Sequence, residues 1–235
     1  ITTAVERCRA KGLSVASSNH YVKDCKAFFN WLVRAGRASG NPIANVSKLQ
    51  VTAKARRHIR RALEADEAVK LLQATRNGPE RCGMAATERY WLYKLALETG
   101  LRSSELRTLT RASFRLDDPE PLVWLPGDVT KNREPAELPL RAETVVELRE
   151  YLAGKHPNAP LFANMPIVTD VAYLLRFDLT AAGIAYETES GCVDFHALRG
   201  TCLSWLAAAN VPVKTLQTFA RHSDPRLTMN LYART

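Results

Sequence analysis

Six polar side chains spread along the chain are of the kinds that act on phosphate esters. Guanidinium groups bind phosphate oxygens in a forked geometry. Imidazole and amine groups carry protons, and a tyrosine phenol can attack phosphorus to form a covalent intermediate. The six residues are Arg102, Lys131, His196, Arg199, His222 and Tyr232. Each of them alone also has an ordinary structural interpretation.

Arg102 follows the end of an apolar helix predicted over 87–98. Gly100 allows the chain to leave that helix and turn, so Arg102 falls at the start of the next helix, where backbone N–H groups also favour anions. The alternative is a surface arginine paired with Glu105.

His196 and Arg199 begin another predicted helix, 195–209. Because residues three apart lie on one helical face, the imidazole and the guanidinium project together, as a site for an anion requires. The alternative is a capping histidine beside a surface arginine.

The other three candidates have weaker local contexts. Lys131 lies in the polar stretch 127–135 between two predicted strands, where a lysine is usually just solvated. His222 follows an apolar helix predicted over 213–220, and a lone histidine there is more often structural. Tyr232 belongs to an apolar stripe and by itself is typical of a core aromatic.

The elements around these residues are mostly helical. Apolar residues at helical spacing predict a first helix over 18–33, with Ser17 or Ser18 as its cap and Gly36 at its end. Short alternating segments at 123–125 and 136–140 predict a hairpin or small sheet. Further helices are predicted over 63–72, 145–152 and 173–182.

Charge points to a polyanionic partner. The chain has 33 Lys+Arg against 24 Asp+Glu, a net charge of +9, which favours nucleic acid. A basic run at 54–61 separates the first helical segment from the rest and predicts an interdomain linker that tracks along phosphates; the alternative is a solvated charge run. The predicted DNA-binding residues are Lys23, Lys26, Lys54, Arg56, Arg57, Arg60 and Arg61.

Several classes of protein are disfavoured by the sequence. No apolar run is long enough to span a bilayer, and no signal peptide is visible. The five cysteines include no Cys-x-x-Cys pair, so we expect buried, reduced thiols rather than disulfides or structural zinc. We find no acidic cluster suited to a metal ion and expect no cofactor. A cytoplasmic protein without membrane contact follows from these features.

Taken together, the order Arg, Lys, His-x-x-Arg, His, Tyr and its flanking residues resembles the tyrosine recombinase (phage integrase) family. The matching pieces are 99–106, the Lys131 hairpin, 196–199, and His222 with Tyr232 ten positions later. The family often has Leu-Gly before its second histidine, where this chain has Ala220-Arg221. The first helix and Asn41-Pro42-Ile43 look like the family's core-binding domain.

The resemblance implies a fold that is mainly α with a small antiparallel β-sheet. It predicts a helical core-binding domain over 1–53, the basic linker over 54–61, and an α+β catalytic domain of the DNA breaking-rejoining type over 62–235. The implied partners are double-stranded DNA and three further copies of the chain, arranged as a dimer on each recombination site. Such proteins are encoded by bacteria, phages or mobile elements.

The resemblance also implies a mechanism. Tyr232 attacks the scissile phosphate, Arg102 and Arg199 stabilise its charge, and His222 adds a hydrogen bond. His196 is the candidate proton acceptor and Lys131 the candidate donor to the leaving oxygen. A 3′-phosphotyrosine intermediate and a Holliday junction follow, without metal or ATP. Two alternatives remain open: a type IB topoisomerase with similar chemistry, and a non-catalytic DNA-binding protein that kept the fold.

Overall fold

A computed structural model describes residues 2–52 and 58–232. In these ranges the chain forms ten α-helices and five short strands, and it divides into two compact units, Ile1–Ile59 and Arg60–Thr235. The predicted class, mainly helical with a small antiparallel sheet, is confirmed. Within the described ranges, no helix is both long and apolar enough to cross a membrane.

Two helices, α1 (Thr2–Ala10) and α2 (Val15–Arg34), form most of the N-terminal unit. The predicted capping of α2 by Ser17 or Ser18 is wrong, because the Ser14 hydroxyl accepts the N–H of Ser17 at 3.0 Å and starts the helix earlier.

The segment after α2 folds back onto it. The Asn19 side chain exchanges two hydrogen bonds of 2.8 Å with the backbone of Leu49, and Nζ of Lys26 donates to the carbonyl oxygen of Ala44 at 2.7 Å. These contacts fix the turn beside the helix.

The second unit contains the other eight helices. They are α3 (Ala65–Arg76), α4 (Ala86–Thr99), α5 (Ser103–Arg107), α6 (Ala142–Leu152), α7 (Val168–Ala181), α8 (Phe195–Ala208), α9 (Val213–Ala220) and α10 (Pro225–Tyr232). The span predicted for α9 is confirmed, and those for α4 and α8 are confirmed to within one residue at each end.

A three-stranded antiparallel sheet and a two-stranded one complete the second unit. The larger sheet has the order β1 (Phe114–Arg115), β2 (Leu122–Leu125), β3 (Ala136–Pro139), and the smaller pairs β4 (Glu187–Thr188) with β5 (Gly191–Cys192). Val123 lies opposite Leu138 in the register, and both are buried. The polar stretch 127–135 connects β2 to β3.

Helix α4 runs through the centre of this unit and is buried on several sides, as its nearly continuous apolar sequence predicts. One charged residue on it, Arg89, is fully buried. Its guanidinium donates to both carboxylate oxygens of Asp178 on α7, at 2.9 and 3.3 Å, and the Tyr93 hydroxyl donates to the same carboxylate at 2.9 Å. This network ties α4 to α7.

The expectation of buried thiols holds for only two of the five cysteines. Cys192 and Cys202 are buried, but Cys8 and Cys82 are exposed. Cys8 lies on α1, whose residues are mostly exposed, and Cys82 lies in a turn with a positive φ of 51°.

Candidate active site

The turn after α4 sets the position of Arg102. Gly100 closes α4 with a φ of 61°, a conformation that glycine adopts without a side-chain penalty. Arg102 caps α5: its N–H donates to Oε2 of Glu105, and its Nη1 donates to Oε1, both at 2.8 Å. The ion pair considered as the structural alternative is therefore present. It is not a surface pair, since the Glu105 side chain is only 1% exposed.

Arg199 joins the ends of two helices. Its side chain projects from α8, where Nη1 donates to the carbonyl oxygen of Gly100 and Nη2 donates to that of Ala220, the last residue of α9. Burial, reinforced by neighbouring arginines, lowers the pKa of Arg199 to about 10. The guanidinium therefore stays charged at neutral pH while it holds the two helix ends together.

The chain leaves α9 through Arg221, whose backbone is left-handed, with φ 52° and ψ 45°. A side chain other than glycine in this conformation costs roughly 1–2 kcal/mol. The guanidinium makes an ion pair there: Nη2 of Arg221 donates to Oε2 of Glu105 at 2.9 Å. Burial opposes ionisation of Glu105, but hydrogen bonds and charges from Arg102 and Arg221 hold the pKa of its carboxyl below the usual value.

His222 comes next and faces α10. Its Nδ1 lies 3.0 Å from Oγ1 of Thr228, which is fully buried on that helix. Its carbonyl oxygen accepts a hydrogen bond from Nε2 of Gln217 at 3.2 Å. Burial, and then the charges of Arg199 and Arg102, lowers the pKa of His222 to about 4. The imidazole is therefore neutral at pH 7.

His196 lies one turn before Arg199 on α8 and keeps an exposed edge. Desolvation by neighbouring protein atoms, and then the charges of Arg60 and Arg199, lowers the pKa of its imidazole, which is neutral at pH 7. His196, Arg102, Arg60 and Asp194 all line one cleft of about 380 Å³. An anion bound in this cleft would contact Arg60 and Arg102.

Tyr232 ends α10, which packs on α8 and α9. Its hydroxyl donates a hydrogen bond to the carbonyl oxygen of Val211 in the loop between those helices. Its ring packs with Leu231 against a small apolar cluster that includes Leu216 and Ala220. The structure thus holds the predicted nucleophile beside α9, with its hydroxyl engaged by the backbone.

Lys131 is not placed against the arginines. It lies exposed in the turn between β2 and β3, and in the described part of the chain it forms no hydrogen bond or ion pair. The structure gives it no positioning contact from which a role could be read.

The residues predicted to bind DNA fall into three groups. Lys54, Arg56 and Arg57 lie outside the described residues. Lys23 and Lys26 line a cleft of about 760 Å³ in the N-terminal unit.

Arg60 and Arg61 belong to the second unit and are held by it. Nε of Arg60 lies 2.7 Å from Oδ2 of Asp194, and the Arg61 guanidinium donates to both oxygens of Glu67, at 2.6 and 2.9 Å. This end of the predicted linker is thus engaged in ion pairs.

Sequence reasoning did not single out two residues that organise the site, Glu105 and Arg221. The i,i+3 spacing of Arg102 and Glu105 gave a partial signal. For Arg221 the signal was a bulky residue where a helix end favours glycine. Across residues 2–52 and 58–232, no three His, Cys, Asp or Glu side chains come together as a metal-binding group.

The fold is similar to those of solved site-specific recombinases. The fold matches the XerH site-specific recombinase, in a structure of a post-cleavage complex with palindromic difH substrate, with a TM-score of 0.72. That match has 18% sequence identity and covers 99% of this chain and 68% of the XerH chain. The second unit therefore has the fold of tyrosine recombinase catalytic domains.

The sequence comparisons agree and are more specific. The model of the phage integrase family matches residues 61–235, so the chain belongs to this family. The tyrosine recombinase XerC of Salmonella typhi is 33% identical over 146 residues, covering 62% of this chain. XerC of Xanthomonas axonopodis pv. citri is 30% identical over 218 residues, covering 91% of this chain. The chain spans 44% and 66% of the lengths of these two relatives.

Proposed function

We propose that this chain cuts and rejoins DNA at specific sites, as the catalytic part of a tyrosine-type recombinase with Tyr232 as nucleophile. The observation that carries the proposal is the convergence of Arg102, Arg199 and His222, which come from the turn after α4, from α8 and from the turn after α9. Their meeting point is fixed by the Arg199 contacts to Gly100 and Ala220. The similarity to the XerC tyrosine recombinases favours a recombinase over a type IB topoisomerase with similar chemistry.

The arginines supply what phosphoryl transfer needs most. A phosphodiester gathers negative charge on its equatorial oxygens in the transition state, and preorganised cationic donors stabilise that charge. Arg199 is fixed by two carbonyl oxygens and remains charged, while Arg102 borders the open cleft. His222 is neutral, so if Nδ1 accepts the Thr228 hydroxyl, its Nε2–H is free to donate to the phosphate.

The nucleophilic step transfers two protons and exchanges one ester bond for another. The Tyr232 hydroxyl loses its proton to neutral His196 and forms a bond to phosphorus. The bond from phosphorus to the 5′-oxygen breaks, and that oxygen takes a proton from Lys131 and leaves as a 5′-hydroxyl. The product is a 3′-phosphotyrosine, and because ester bonds are exchanged rather than hydrolysed, rejoining needs no ATP. The guanidinium groups of Arg102 and Arg199 supply the positive charge that a metal ion supplies in other phosphoryl-transfer sites.

Two rearrangements must precede this step. The Tyr232 hydroxyl has to leave the carbonyl oxygen of Val211, and the exposed turn that carries Lys131 has to approach the leaving oxygen. Bound DNA is the natural trigger for both, since it brings the phosphate that attracts each group.

The proposed partners are double-stranded DNA and three further copies of the chain, with two protomers on each site and a Holliday junction as intermediate. We expect the protein to act on DNA in the bacterial cytoplasm as part of a mobile element. The N-terminal unit and the basic run 54–61 would bind the phosphate backbone. Changing Arg56 and Arg57 to alanine should then weaken binding to every sequence and flatten its salt dependence.

A duplex nicked next to the cleavage point tests the proposal. Cleavage of such a substrate releases a short fragment that carries the 5′-hydroxyl, so rejoining is prevented and the covalent protein–DNA adduct accumulates. Because the target sequence is unknown, the assay uses a library of nicked duplexes. Tyr232→Phe should abolish the adduct and leave DNA binding intact. Tyr173→Phe, at an exposed tyrosine of α7, is the matched control and should form the adduct normally.

The outcomes separate the three functions considered. An undiminished adduct with Tyr232→Phe would move the nucleophile elsewhere. DNA binding without an adduct on any substrate would indicate a non-catalytic protein. Relaxation of supercoiled DNA on many sequences by a monomer would indicate a type IB topoisomerase.

A further inference from the structure

Arg221 adds a third arginine to Arg102 and Arg199, and the three form an arginine cluster around Glu105. It occupies a left-handed helix terminus, where a glycine would be unstrained. Its side chain is 7% exposed and turns inward to Glu105 on α5. The residue is thus committed to the interior of the site rather than to solvent.

Glu105 is the point that Arg221 shares with Arg102. One carboxylate oxygen, Oε1, accepts Nη1 of Arg102 at 2.8 Å. The other, Oε2, accepts both the Arg102 N–H at 2.8 Å and Nη2 of Arg221 at 2.9 Å. A buried carboxylate with Arg102 as its only cationic partner would neutralise the charge of that arginine.

The balance of charge changes with Arg221. Arg102, Arg199 and Arg221 against Glu105 leave two net positive charges; without Arg221 one remains. The charge of Arg221 is felt across the cluster, where it contributes to the lowered pKa values of Arg199 and His222. In the described part of the chain, its buried Nε and Nη1 have no hydrogen-bond acceptor. The cluster is therefore richer in cationic donors than its own acceptors require.

We propose that Arg221 is a positioning residue of the anion site: by compensating Glu105, it leaves the charge of Arg102 available to a phosphate group. This inference rests on the proposed function for the identity of the ligand as a DNA phosphate. Arg221 acts through Glu105 and Arg102, so its effect depends on the charge of Glu105.

That dependence gives a test with inorganic phosphate as the probe. The affinity is measured by ³¹P NMR titration at low ionic strength. Arg221→Gly removes the guanidinium and suits the left-handed backbone, and we expect it to raise the Kd for phosphate about tenfold. Combining it with Glu105→Gln should return the Kd to within about threefold of wild type, because Gln keeps an acceptor for the Arg102 N–H without the negative charge.

Arg133→Gly is the matched control. Arg133 also has a positive φ, 59°, but lies in an exposed turn, so this variant removes the same charge from the same backbone conformation elsewhere. Its phosphate Kd should match that of wild type. Thermal unfolding of each variant shows whether it is folded, and a purely structural defect in Arg221→Gly would not be rescued by Glu105→Gln.

Three results would overturn the inference: no phosphate binding by the wild type, an unchanged Kd in Arg221→Gly, or a double variant as weak as the single one. The adduct assay with Tyr232→Phe is independent of all three. A protein that shows the expected phosphate pattern but forms no adduct supports this inference and refutes the proposed function. Conversely, if the wild-type protein forms the adduct while Arg221→Gly leaves both the adduct yield and the phosphate Kd unchanged, the result supports the proposed function and refutes this inference.

Discussion

The carboxylate of Asp194 lies 2.7 Å from Nε of Arg60 and also accepts the N–H of Ala197 at 2.9 Å. The first contact holds the beginning of the second unit, and the second caps the helix that carries His196 and Arg199. One side chain therefore links the end of the basic run to the orientation of the two predicted catalytic residues on α8.

Replacing Asp194 should separate these two contributions. Asp194→Ala removes both the cap and the Arg60 pair, and should lower the free energy of unfolding by about 1–2 kcal/mol. Asp194→Asn keeps a good capping group and should cost less, because the Arg60 pair is partly exposed and worth at most about 1 kcal/mol. Chemical denaturation measures both values. Asp66→Ala, which breaks an exposed pair on α3, should cost less than Asp194→Ala; equal losses would contradict the capping argument.

Acidification should destabilise the folded protein through its histidines. The folded state lowers the pKa of His222 to about 4, whereas an unfolded histidine titrates near 6.5. The unfolded chain therefore binds more protons between these values, and stability falls as the pH drops from about 6.5 to about 4. His196 acts in the same direction.

Urea unfolding at pH 7 and pH 5 measures this effect. His222→Gln should reduce the difference between the two pH values, since the group that resists protonation is gone. His156→Gln, at an exposed histidine of the same unit, should leave the difference as it is. A His222 variant with the wild-type pH dependence would show that its imidazole titrates normally.

The sequence predicts those elements that are determined by residues close together in the chain. The helix α9 spans its predicted residues because apolar spacing and the preceding Pro212 act locally. The ends of α4 and its turn at Gly100 follow for the same reason. The strands β1, β4 and β5 were not predicted, because two residues are too few to show alternation.

The site depends on contacts that carry no local signal. Glu105 and Arg221 meet across 116 positions, and Arg199 reaches Gly100 across 99. The sequence shows that these residues are of suitable types, but only the packing of α8 on α4 and of α9 on α8 shows which of them meet. The same holds for Tyr232, whose contact with Val211 depends on where α10 docks.

Thr228 should matter for cleavage more than for stability. Its buried hydroxyl lies beside Nδ1 of His222. In the proposed mechanism this contact would set which imidazole nitrogen faces the phosphate. Thr228→Val keeps the shape and should slow adduct formation about tenfold, a typical loss for one hydrogen bond. Thr180→Val, at an exposed threonine of α7, should cleave like wild type. Equal rates for the two variants would remove Thr228 from the site.

The buried pair of Arg89 and Asp178 should be the most sensitive point of the fold. Asp178→Ala leaves the Arg89 guanidinium without its carboxylate in the core, and such a change costs about 3–5 kcal/mol. Tyr93→Phe removes one hydrogen bond to the same carboxylate and should cost about 1 kcal/mol. Denaturant midpoints measure the two losses, and similar values for both would mean that the core admits water to Arg89.

Lys131 can be tested as a proton donor by the chemistry of the leaving group. Lys131→Ala should slow adduct formation on normal DNA, because the departing 5′-oxygen then lacks its acid. In a substrate with sulfur in place of that oxygen, the leaving group departs as a thiolate, which needs no proton. The variant should therefore cleave this substrate at nearly the wild-type rate. Lys155→Ala, at a lysine near Tyr151, should cleave both substrates normally. A Lys131 variant that stays slow on the sulfur substrate would show that this lysine acts in binding, since only a lost proton donor is bypassed by a better leaving group.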